Sequence, residues 1–328
     1  MNALASLERL ADVRAPAGGA QRRRMLVIVN PRATTISGSD RLGGLVVAAL
    51  RSRYDVEAVD TQRPGHATDL CREAAHAGYD VVVTVGGDGT VNEAANGLAG
   101  TATPLIPLPG GATNVLAKLL GIPGDMARAT EHLLALRDAW TPRTIDLARV
   151  NGRWFTFSSG LGLDASAMRR ADRHPRLKLR LRSAYFLASA VASFAREYLV
   201  RPPRMEVHAG GRTLPGVTVL VQNGEALTYF YDRPLHVADG AGLTTGTLAG
   251  AVLRRANPLD VPTVGARLFS RRRRVIDHPH IDGFSGVTTV RCVSTDGRAI
   301  PLEVDGDYLG DVTEAVFDVV PGALCVLG

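Results

Sequence analysis

Cysteine is scarce in this sequence. Its 328 residues include three cysteines, Cys71, Cys292 and Cys325, which lie far apart without C-x-x-C spacing. An odd and scattered set argues against a disulfide framework and against a cysteine-based zinc site. We therefore expect three reduced thiols in a cytosolic protein.

The chain also lacks a long hydrophobic run. Its most apolar stretch, residues 184–195, lies between Arg182 and Arg196, and is too short for a membrane span of about 20 residues. Residues 1–9 lack the basic and apolar regions of a secretory signal. We expect a cytoplasmic protein that associates with a membrane peripherally.

Aromatic residues make up 5% of the chain, and no aromatic platform or nucleic-acid-binding motif is evident. The formal net charge of +6 permits contact with nucleotides, anionic lipid headgroups or nucleic acid and does not choose among them, but nucleic-acid binding lacks the aromatic platform and the motif. We therefore expect no nucleic-acid partner. The histidines show no spacing typical of metal ligands: His66, His174, His236, His278 and His280.

Three regions follow from the hydrophobic pattern. Residues 1–23 have no usable period, and we interpret them as a flexible leader. Residues 24–142 alternate β-branched runs such as Met25–Val29 and Val81–Val85 with amphipathic segments, which indicates a doubly wound α/β domain with parallel strands.

Beyond residue 143 strands predominate. Asn151-Gly152 separates two strand-like runs and is a strong signal for a type I′ hairpin. We predict a mainly antiparallel β-sandwich over residues 143–328, with a long helix inserted from about Arg180 to Tyr198. The apolar residues of that helix suit either an acyl-chain cleft or a core.

The run Gly86–Thr90 (GGDGT) follows a buried strand and precedes a helix that we place from Val91 or Asn92 to Leu98. Ligands of open α/β sheets bind at this edge, and glycine allows positive φ and close approach to a polyphosphate. Asp88 would repel phosphates unless it binds Mg²⁺ or accepts a proton from an attacking hydroxyl.

Taken alone, this run is better interpreted as a tight turn with an aspartate cap. The chain has neither the G-x-x-x-x-G-K-[ST] loop of many nucleotide-binding proteins nor a G-x-G-x-x-G dinucleotide fingerprint. The choice between turn and site therefore depends on other residues.

Four blocks occur in a characteristic order: Asn30-Pro31, Thr61–Ala67 (TQRPGHA), Gly86–Leu98 (GGDGTVNEAANGL) and Pro109–Asn114 (PGGATN). Together they resemble the diacylglycerol kinase catalytic-domain family, which includes bacterial diacylglycerol kinases, sphingosine kinases and ceramide kinase. NAD kinases and phosphofructokinases are more distant, sharing mainly GGDG. The resemblance covers most of the chain from residue 25 onward.

The resemblance implies an ATP- and Mg²⁺-dependent lipid kinase that phosphorylates diacylglycerol or a related lipid alcohol. Its N-terminal domain would have the fold shared by NAD kinases and diacylglycerol kinases, with ATP in the cleft between domains. The residues implied to bind the nucleotide are Asn30, Thr61, Gly86, Gly87, Asp88, Gly89, Thr90, Val91, Asn92, Gly111, Ala112, Thr113 and Asn114.

Two departures from the family pattern concern its carboxylates. Val115 stands where the family usually has an aspartate, and the usual threonine is displaced to Thr113. The loop Ala238–Leu243 partly matches the family's metal loop and implies Asp239 as a metal ligand, but Thr244 replaces the second acid.

Two further blocks match in the second domain. Val304–Asp307 resembles an Asp-Gly-Glu/Asp element whose last carboxylate is the general base, so we assign that role to Asp307 and metal or phosphate positioning to Asp88. An exchange of these roles stays open, and Asp-Gly is also a common hairpin turn. Phe157–Ala165 matches a Gly-x-Gly-x-Asp-Ala turn, in which Asp164 is either functional or a helix cap.

Basic runs suit a membrane surface, since each cation near anionic headgroups contributes about 1 kcal/mol; a solvated basic face is the alternative. They are Arg169-Arg170, Arg173–Arg182 and Arg271–Arg274. The expected partners are thus a lipid substrate at the membrane surface and anionic phospholipid, with a homodimer left open.

Two other functions stay open. An NAD kinase-like enzyme would phosphorylate a soluble substrate. A nucleotide-binding regulatory pseudokinase is suggested by Val115 and Thr244.

Overall fold

The chain divides into two units, Met1–Ile145 with Gly322–Gly328, and Asp146–Pro321. We had placed the whole C-terminus in the second domain, whereas its last residues belong to the first unit. The structure, a computed structural model, describes residues 3–11, 22–36, 41–136, 140–172, 189, 192–230, 232–270 and 272–327.

A parallel sheet forms the centre of the first unit. Its strands lie in the order β2–β1–β3–β4, and every residue of β3 and β4 is buried, as expected for strands covered by helices on both faces. The elements are β1 (Arg24–Val29), α2 (Leu42–Arg51), β2 (Asp55–Asp60), α3 (His66–His76), β3 (Val81–Gly86), α4 (Asp88–Leu98), β4 (Leu105–Pro109), α5 (Val115–Leu119) and α6 (Met126–Ala135), preceded by α1 (Ala3–Ala11).

The winding of this sheet reverses between β1 and β3. Strand β1 pairs with β2 on one side and with β3 on the other, so that Val29 lies between Asp60 and Val85. Because parallel crossovers are right-handed, α2 and α3 cover opposite faces. Such a reversal opens a crevice at the carboxyl ends of the strands, where α/β proteins bind ligands.

Helix α1 corrects the predicted leader. Leu7 is fully buried, and the helix packs with α2 and α6. Leu4, Leu7 and Leu10 recur every third residue, a helical spacing that our sequence analysis overlooked.

The end of the last strand, β18 (Glu314–Val326), completes the first sheet. Val326 is the parallel neighbour of Leu105 in β4. The N–H of Gly100 donates to the Ala323 carbonyl at 2.7 Å, and Leu324 and Val326 are fully buried. The first unit therefore depends on residues from the far end of the chain.

The second unit is an antiparallel sandwich, as predicted. One sheet has the order β14–β13–β10–β7–β16–β17, and the other contains the neighbours β18–β15–β8–β9. Apolar residues of both sheets form one core. The elements are β5 (Arg143–Val150), β6 (Arg153–Phe155), β7 (Ser158–Leu161), α7 (Leu163–Asp172), β8 (Met205–Ala209), β9 (Arg212–Gly216), β10 (Thr218–Gln222), β11 (Thr228–Phe230), β12 (Arg233–Leu235), β13 (Leu248–Leu253), α8 (Asp260–Leu268), β14 (Ile281–Val287), β15 (Thr289–Ser294), β16 (Ile300–Val304), β17 (Asp307–Val312) and β18.

The predicted β5–β6 hairpin is present. Val150 pairs with Arg153 across the turn, and Asn151 and Gly152 have φ of 48° and 85°. A type I′ turn requires positive φ at both positions, which asparagine and glycine tolerate best.

The predicted helix Arg180–Tyr198 lies mostly outside the described residues, and Phe194–Tyr198 forms a π-helical turn. In the part of the chain that is described, no helix combines the length and apolar character needed to cross a bilayer.

The turn between β16 and β17 is held by a buried carboxylate. Asp305 (φ 47°) and Gly306 (φ 84°) form the turn. Asp305 is 4% exposed, and its carboxylate accepts hydrogen bonds from the N–H groups of Thr156, Phe157 and Ser158 at 2.7–3.2 Å. These bonds fix the chain between β6 and β7.

We predict that Asp305→Asn lowers the free energy of unfolding by about 2 kcal/mol, because an amide cannot accept all of these bonds and leaves buried N–H groups unsatisfied. The measurement is equilibrium denaturation. Asp296→Asn is the matched control, since Asp296 starts another Asp-Gly turn but pairs with Arg298 at the surface; it should cost less than about 1 kcal/mol. Equal losses would contradict the anchoring role.

Candidate functional site

The carboxyl edge of the parallel sheet gathers the residues predicted to bind nucleotide. Asn30 follows β1, Thr61 follows β2, Gly87 follows β3 and Gly110 follows β4. The Asn30 N–H donates to the Val85 carbonyl at 2.9 Å, so the strand ladder extends to this edge. Both strands that flank the winding reversal therefore end in predicted site residues.

Two glycine pairs lie back to back at this edge. The Gly110 N–H donates to the Gly86 carbonyl at 2.8 Å. A Cβ on Gly110 would lie 2.9 Å from the Gly86 nitrogen, and one on Gly111 would lie 2.6 Å from the Gly87 Cα. Close approach, rather than the positive φ that we expected, requires these glycines, since Gly87 has φ −92°.

Helix α4 begins at Asp88, earlier than predicted, with Gly87 as its N-cap residue. Asp88, Gly89 and Thr90 therefore form the first helical turn. The first N–H groups of an α-helix have no partner within the helix and carry a partial positive charge. The GGDG run thus combines a close glycine contact with a helix N-terminus.

Asp88 anchors the loop that follows β4. Its Oδ2 accepts the Thr113 hydroxyl at 2.7 Å, and its Oδ1 accepts the Val115 N–H at 2.6 Å. The two departures from the family pattern therefore both contact Asp88, Thr113 through its side chain and Val115 through its backbone. The catalytic and metal-binding roles of Asp88 stay predictions.

Asn114 shapes this loop from within. It has φ 50° and ψ 54°, a left-handed conformation that asparagine adopts more readily than most residues. Its side chain accepts the Gly111 N–H at 2.8 Å and donates to the Gly111 carbonyl at 2.9 Å. Asn114 thereby closes the bend that contains Ala112 and Thr113.

Asn30 links the ends of β1 and β3. Its Nδ2 donates to the Thr90 hydroxyl at 2.9 Å. Thr90 needs glycine at position 86, since a Cβ there would lie 2.7 Å from the Thr90 Oγ1. The first and third sequence blocks are therefore joined by a direct side-chain contact.

Glu93 joins the second block to α4, a role that the sequence analysis did not assign. Its carboxylate accepts the N–H groups of Gly65 and Ala67 at 2.8 and 3.1 Å, at the start of α3. The N-terminus of α3 is thus already satisfied by a carboxylate. The N-terminus of α4 is therefore the one that a phosphate at this edge could contact.

The side chains of Val91 and Asn92 are 4% and 3% exposed. The Asn92 Oδ1 accepts from the Asn96 Nδ2 at 3.1 Å within the helix. Both side chains are therefore part of the packing of α4, and the nucleotide contact predicted for these two residues stays a prediction.

In the second unit, Asp307 is the exposed first residue of β17, directly after the Asp305-Gly306 turn. Asp239 is exposed and its Oδ2 lies 3.0 Å from the Arg274 guanidinium. An adjacent arginine disfavours a divalent cation, so the geometry does not support the metal role predicted for Asp239.

Glu303 is a second buried carboxyl, besides Asp305, that supports the Asp305-Gly306 turn. The sequence analysis missed it. It is 1% exposed, and its Oε2 accepts the Gly306 N–H at 2.8 Å. Its Oε1 finds no N–H or O–H donor among the described groups. The sequence feature that could have identified Glu303 is its charge within the buried strand Ile300–Val304.

Asp164 lies beside the Glu303 Oε1. A Cβ on Gly160 would lie 2.8 Å from the Glu303 Oε1 and 3.3 Å from the Asp164 Oδ2, so both carboxyls lie against this glycine. Burial raises the pKa of Glu303 well above its usual range, and the neighbouring Asp164 raises it further. Burial likewise raises the pKa of Asp164 to about 6, against a lowering hydrogen bond with Glu303. One proton shared by the pair satisfies both groups.

Among the described residues, one group could hold a metal ion by proximity: Asp260, His278 and His280. The His280 Nδ1 lies 2.7 Å from the Asp260 Oδ2, and Arg255 contacts its Nε2. Because arginine only donates, the Nε2 is an acceptor and the Nδ1 carries the proton. The group is therefore arranged as a hydrogen-bonded network.

We predict that Gly111→Ala lowers the free energy of unfolding by about 2 kcal/mol, because its methyl group collides with the backbone of Gly87 and forces the strand ends apart. Denaturant unfolding measures this loss. Gly44→Ala in α2 is the control, since a Cβ there meets nothing within 4 Å and alanine favours helix. A loss no larger than that of the control would show that the strand ends are not in tight contact.

The buried carboxyl pair predicts a pH dependence. Because the folded-state pKa values are raised, the folded chain holds protons that the unfolded chain releases, so this contribution to stability is lost as pH rises through the folded pKa values. We expect the free energy of unfolding to fall by on the order of 2 kcal/mol between about pH 4 and pH 8. Glu303→Gln, which cannot titrate and can donate a hydrogen bond to Asp164, should reduce this slope, whereas the exposed Glu206→Gln should keep it. An unchanged slope in Glu303→Gln would refute the shared proton.

Comparisons with known proteins identify what the chain is similar to. Residues 24–150 match the diacylglycerol kinase catalytic domain, and residues 158–328 match the YegS C-terminal NAD kinase beta sandwich-like domain. The chain is 27% identical over 294 residues to a diacylglycerol kinase of Bacillus subtilis strain 168, covering 88% of this chain and 91% of that protein. It is 29% identical over 136 residues to a diacylglycerol kinase of Staphylococcus aureus strain bovine RF122 / ET3-1, covering 41% and 42%.

Solved structures share the fold. A crystal structure of a diacylglycerol kinase from Bacillus anthracis strain Sterne has a TM-score of 0.62 at 20% identity, covering 94% of this chain and 97% of that chain. A further structure from that strain has a TM-score of 0.68, also at 20% identity. The two domain matches together cover most of the chain and include the four sequence blocks and the paired glycines. The chain belongs to the diacylglycerol kinase catalytic-domain family.

Proposed function

We propose that this protein transfers the terminal phosphoryl group of ATP to the hydroxyl of diacylglycerol or a related lipid alcohol. The observation that carries the proposal is the edge where Gly86–Gly87, Gly110–Gly111 and the start of α4 converge. This edge lies at the winding reversal of the sheet, in a chain whose family members include named diacylglycerol kinases.

The backbone of this edge suits phosphates. The β-carbons absent at positions 86, 110 and 111 would collide with Thr90 or with neighbouring backbone, so these glycines bring both strand ends to one edge beside the start of α4, where a polyphosphate can bind. The N–H groups at the start of α4 provide donors, since Glu93 satisfies those of α3. Phosphoryl transfer has a loose transition state, so positioning and charge stabilisation account for most of the catalysis.

We assign the proton-accepting role to Asp307. It is exposed and follows a turn that Asp305 and Glu303 hold rigidly through buried hydrogen bonds. A positioned carboxylate that accepts the hydroxyl proton contributes about 100-fold or more to such reactions. Diacylglycerol is the first acceptor to test because the relatives carry that name; a sphingoid base is the second.

Mg²⁺ in kinases takes one or two carboxylates together with substrate phosphates, and there it neutralises charge on the phosphates. Asp88 is the carboxylate of the glycine edge, but its two oxygens already accept hydrogen bonds from Thr113 and Val115. Each oxygen keeps a further lone pair, so Asp88 is the residue of this edge that would hold Mg²⁺, with the other ligands supplied by the substrate phosphates.

The test is transfer of radiolabelled phosphate from ATP to diacylglycerol, a sphingoid base and other lipid alcohols in mixed micelles. Asp307→Asn should lower kcat by about 100-fold with little change in the KM for ATP. Asp88→Asn should weaken ATP binding, since it releases the loop after β4. Asp55→Asn, an exposed change at the opposite end of β2 from Thr61, should leave both parameters within about twofold.

Two outcomes would replace the proposal. ATP binding without labelling of any lipid would indicate a regulatory pseudokinase. Labelling of NAD in the absence of micelles would indicate an NAD kinase-like enzyme. Full activity of Asp307→Asn would leave the reaction standing and remove Asp307 as the base.

A further inference from the structure

Helix α8 exposes apolar residues on a side that most surface helices keep polar. Leu259 and Phe269, which flank the helix, are 74% and 46% exposed, and Pro262 and Ala266 are exposed between them. Spacings of three, four and three residues place all four on one side. We call these residues the apolar stripe of α8.

The stripe is not the side that packs on the protein. Val264 and Leu268 face the core instead, where they pack against Ala251, Val275 and Ile281. The helix therefore has one apolar side for folding and a second apolar side turned to solvent. Folding of the second unit does not account for the stripe.

An aromatic pair extends the stripe. The rings of Phe230 and Phe269 lie edge to face with centroids 5.3 Å apart, and Phe230 is 43% exposed. Two large rings that remain nearly half exposed after contacting each other make an apolar projection at the C-terminal end of α8.

Arginines adjoin the aromatic pair. Arg233 pairs directly with Phe230 across the β11–β12 hairpin, so the two side chains share a face. Arg233 also lines a pocket of about 370 Å³. The other basic residues that line this pocket are His236, Arg267, Arg273 and Arg274. Asp239 and Asp277 pair with Arg274, whereas Arg233, Arg272 and Arg273 make no ion pair within the described chain.

The backbone of Arg272 and Arg273 is hydrogen-bonded to Ser270. The Ser270 hydroxyl accepts the N–H groups of Arg272 and Arg273 at 3.1 and 3.0 Å, directly after the stripe ends. Unneutralised cations are thus held next to exposed apolar side chains. Of the basic run predicted from sequence, Arg271 lies outside the described residues.

We propose that the apolar stripe, the Phe230–Phe269 pair and the arginine pocket form the surface by which this protein docks on an anionic phospholipid bilayer. Apolar side chains enter the acyl boundary while cations meet the headgroup phosphates. A second copy of the chain is a poorer occupant, since the same cations would face each other. The proposal rests on the proposed lipid substrate for its purpose, whereas docking itself is measured without catalysis.

The test is cosedimentation of the full chain with vesicles that contain neither diacylglycerol nor nucleotide. We expect binding to phosphatidylcholine vesicles with about 30 mol% phosphatidylglycerol, weakening with salt, and little binding to phosphatidylcholine alone. Phe230→Ser with Phe269→Ser, and separately Arg272→Gln with Arg273→Gln, should each weaken binding about tenfold or more.

Matched controls lie elsewhere on the surface. Val200→Ser removes an apolar side chain that is 79% exposed, and Arg128→Gln with Arg143→Gln removes two exposed arginines of the first unit. Both controls should bind like the wild type. Unfolding midpoints of all variants verify that the fold is intact.

Several results would overturn the docking surface. They are equal binding to both vesicle types, equal losses in the controls, and displacement by millimolar inorganic phosphate, which would indicate a site for free phosphate. Concentration-dependent dimers that both double variants abolish would indicate a second copy instead. Vesicle binding without lipid phosphorylation would refute the proposed function alone, and phosphorylation in micelles without vesicle binding would refute the docking surface alone.

Discussion

The contact between Gly86–Gly87 and Gly110–Gly111 determines how closely the ends of β3 and β4 approach, and the neighbouring geometry depends on that approach. It brings the loop after β4 within reach of Asp88, whose carboxylate bonds Thr113 and Val115. It also leaves room for Thr90 to meet Asn30. A β-carbon at Gly86, Gly110 or Gly111 would separate these partners. The fold therefore requires these glycines whether or not a phosphate binds.

Buried or half-buried carboxylates recur as anchors for backbone turns. Glu93 satisfies the start of α3, Asp88 holds the loop after β4, and Asp305 and Glu303 fix the turn that precedes Asp307. Each accepts backbone N–H groups that would otherwise be unsatisfied. The acidic residues of a kinase-like sequence therefore have two kinds of role: some hold the backbone in place, and others act on a substrate. The hydrogen bonds that each carboxylate makes in the fold decide which role it has.

The sequence was most informative where the physical cause is local. Alternating strands and helices predicted the parallel sheet, Asn151-Gly152 predicted its hairpin, and the rule that ligands bind at strand ends predicted a site at Gly86–Thr90. The family resemblance, rather than that rule, implied Asn30 and Thr61. Contacts between distant segments were not predictable in this way. The sequence around Asp239 does not identify Arg274 as its partner, and the sequence around Asp164 does not identify Glu303 as its neighbour. The burial of the Val91 and Asn92 side chains was not predictable because it depends on how α4 packs, and α1 was missed through an overlooked spacing.

The last strand has a consequence for how the molecule is made. Val326 lies beside Leu105 in the first sheet, so the first unit contains residues from both extremes of the chain. A ribosome delivers β1 to β4 early, yet the neighbour of β4 emerges only after the whole sandwich has been synthesised. During translation the edge of β4 therefore stays without this neighbour until the last residues emerge, and a fragment that stops before residue 322 lacks it altogether.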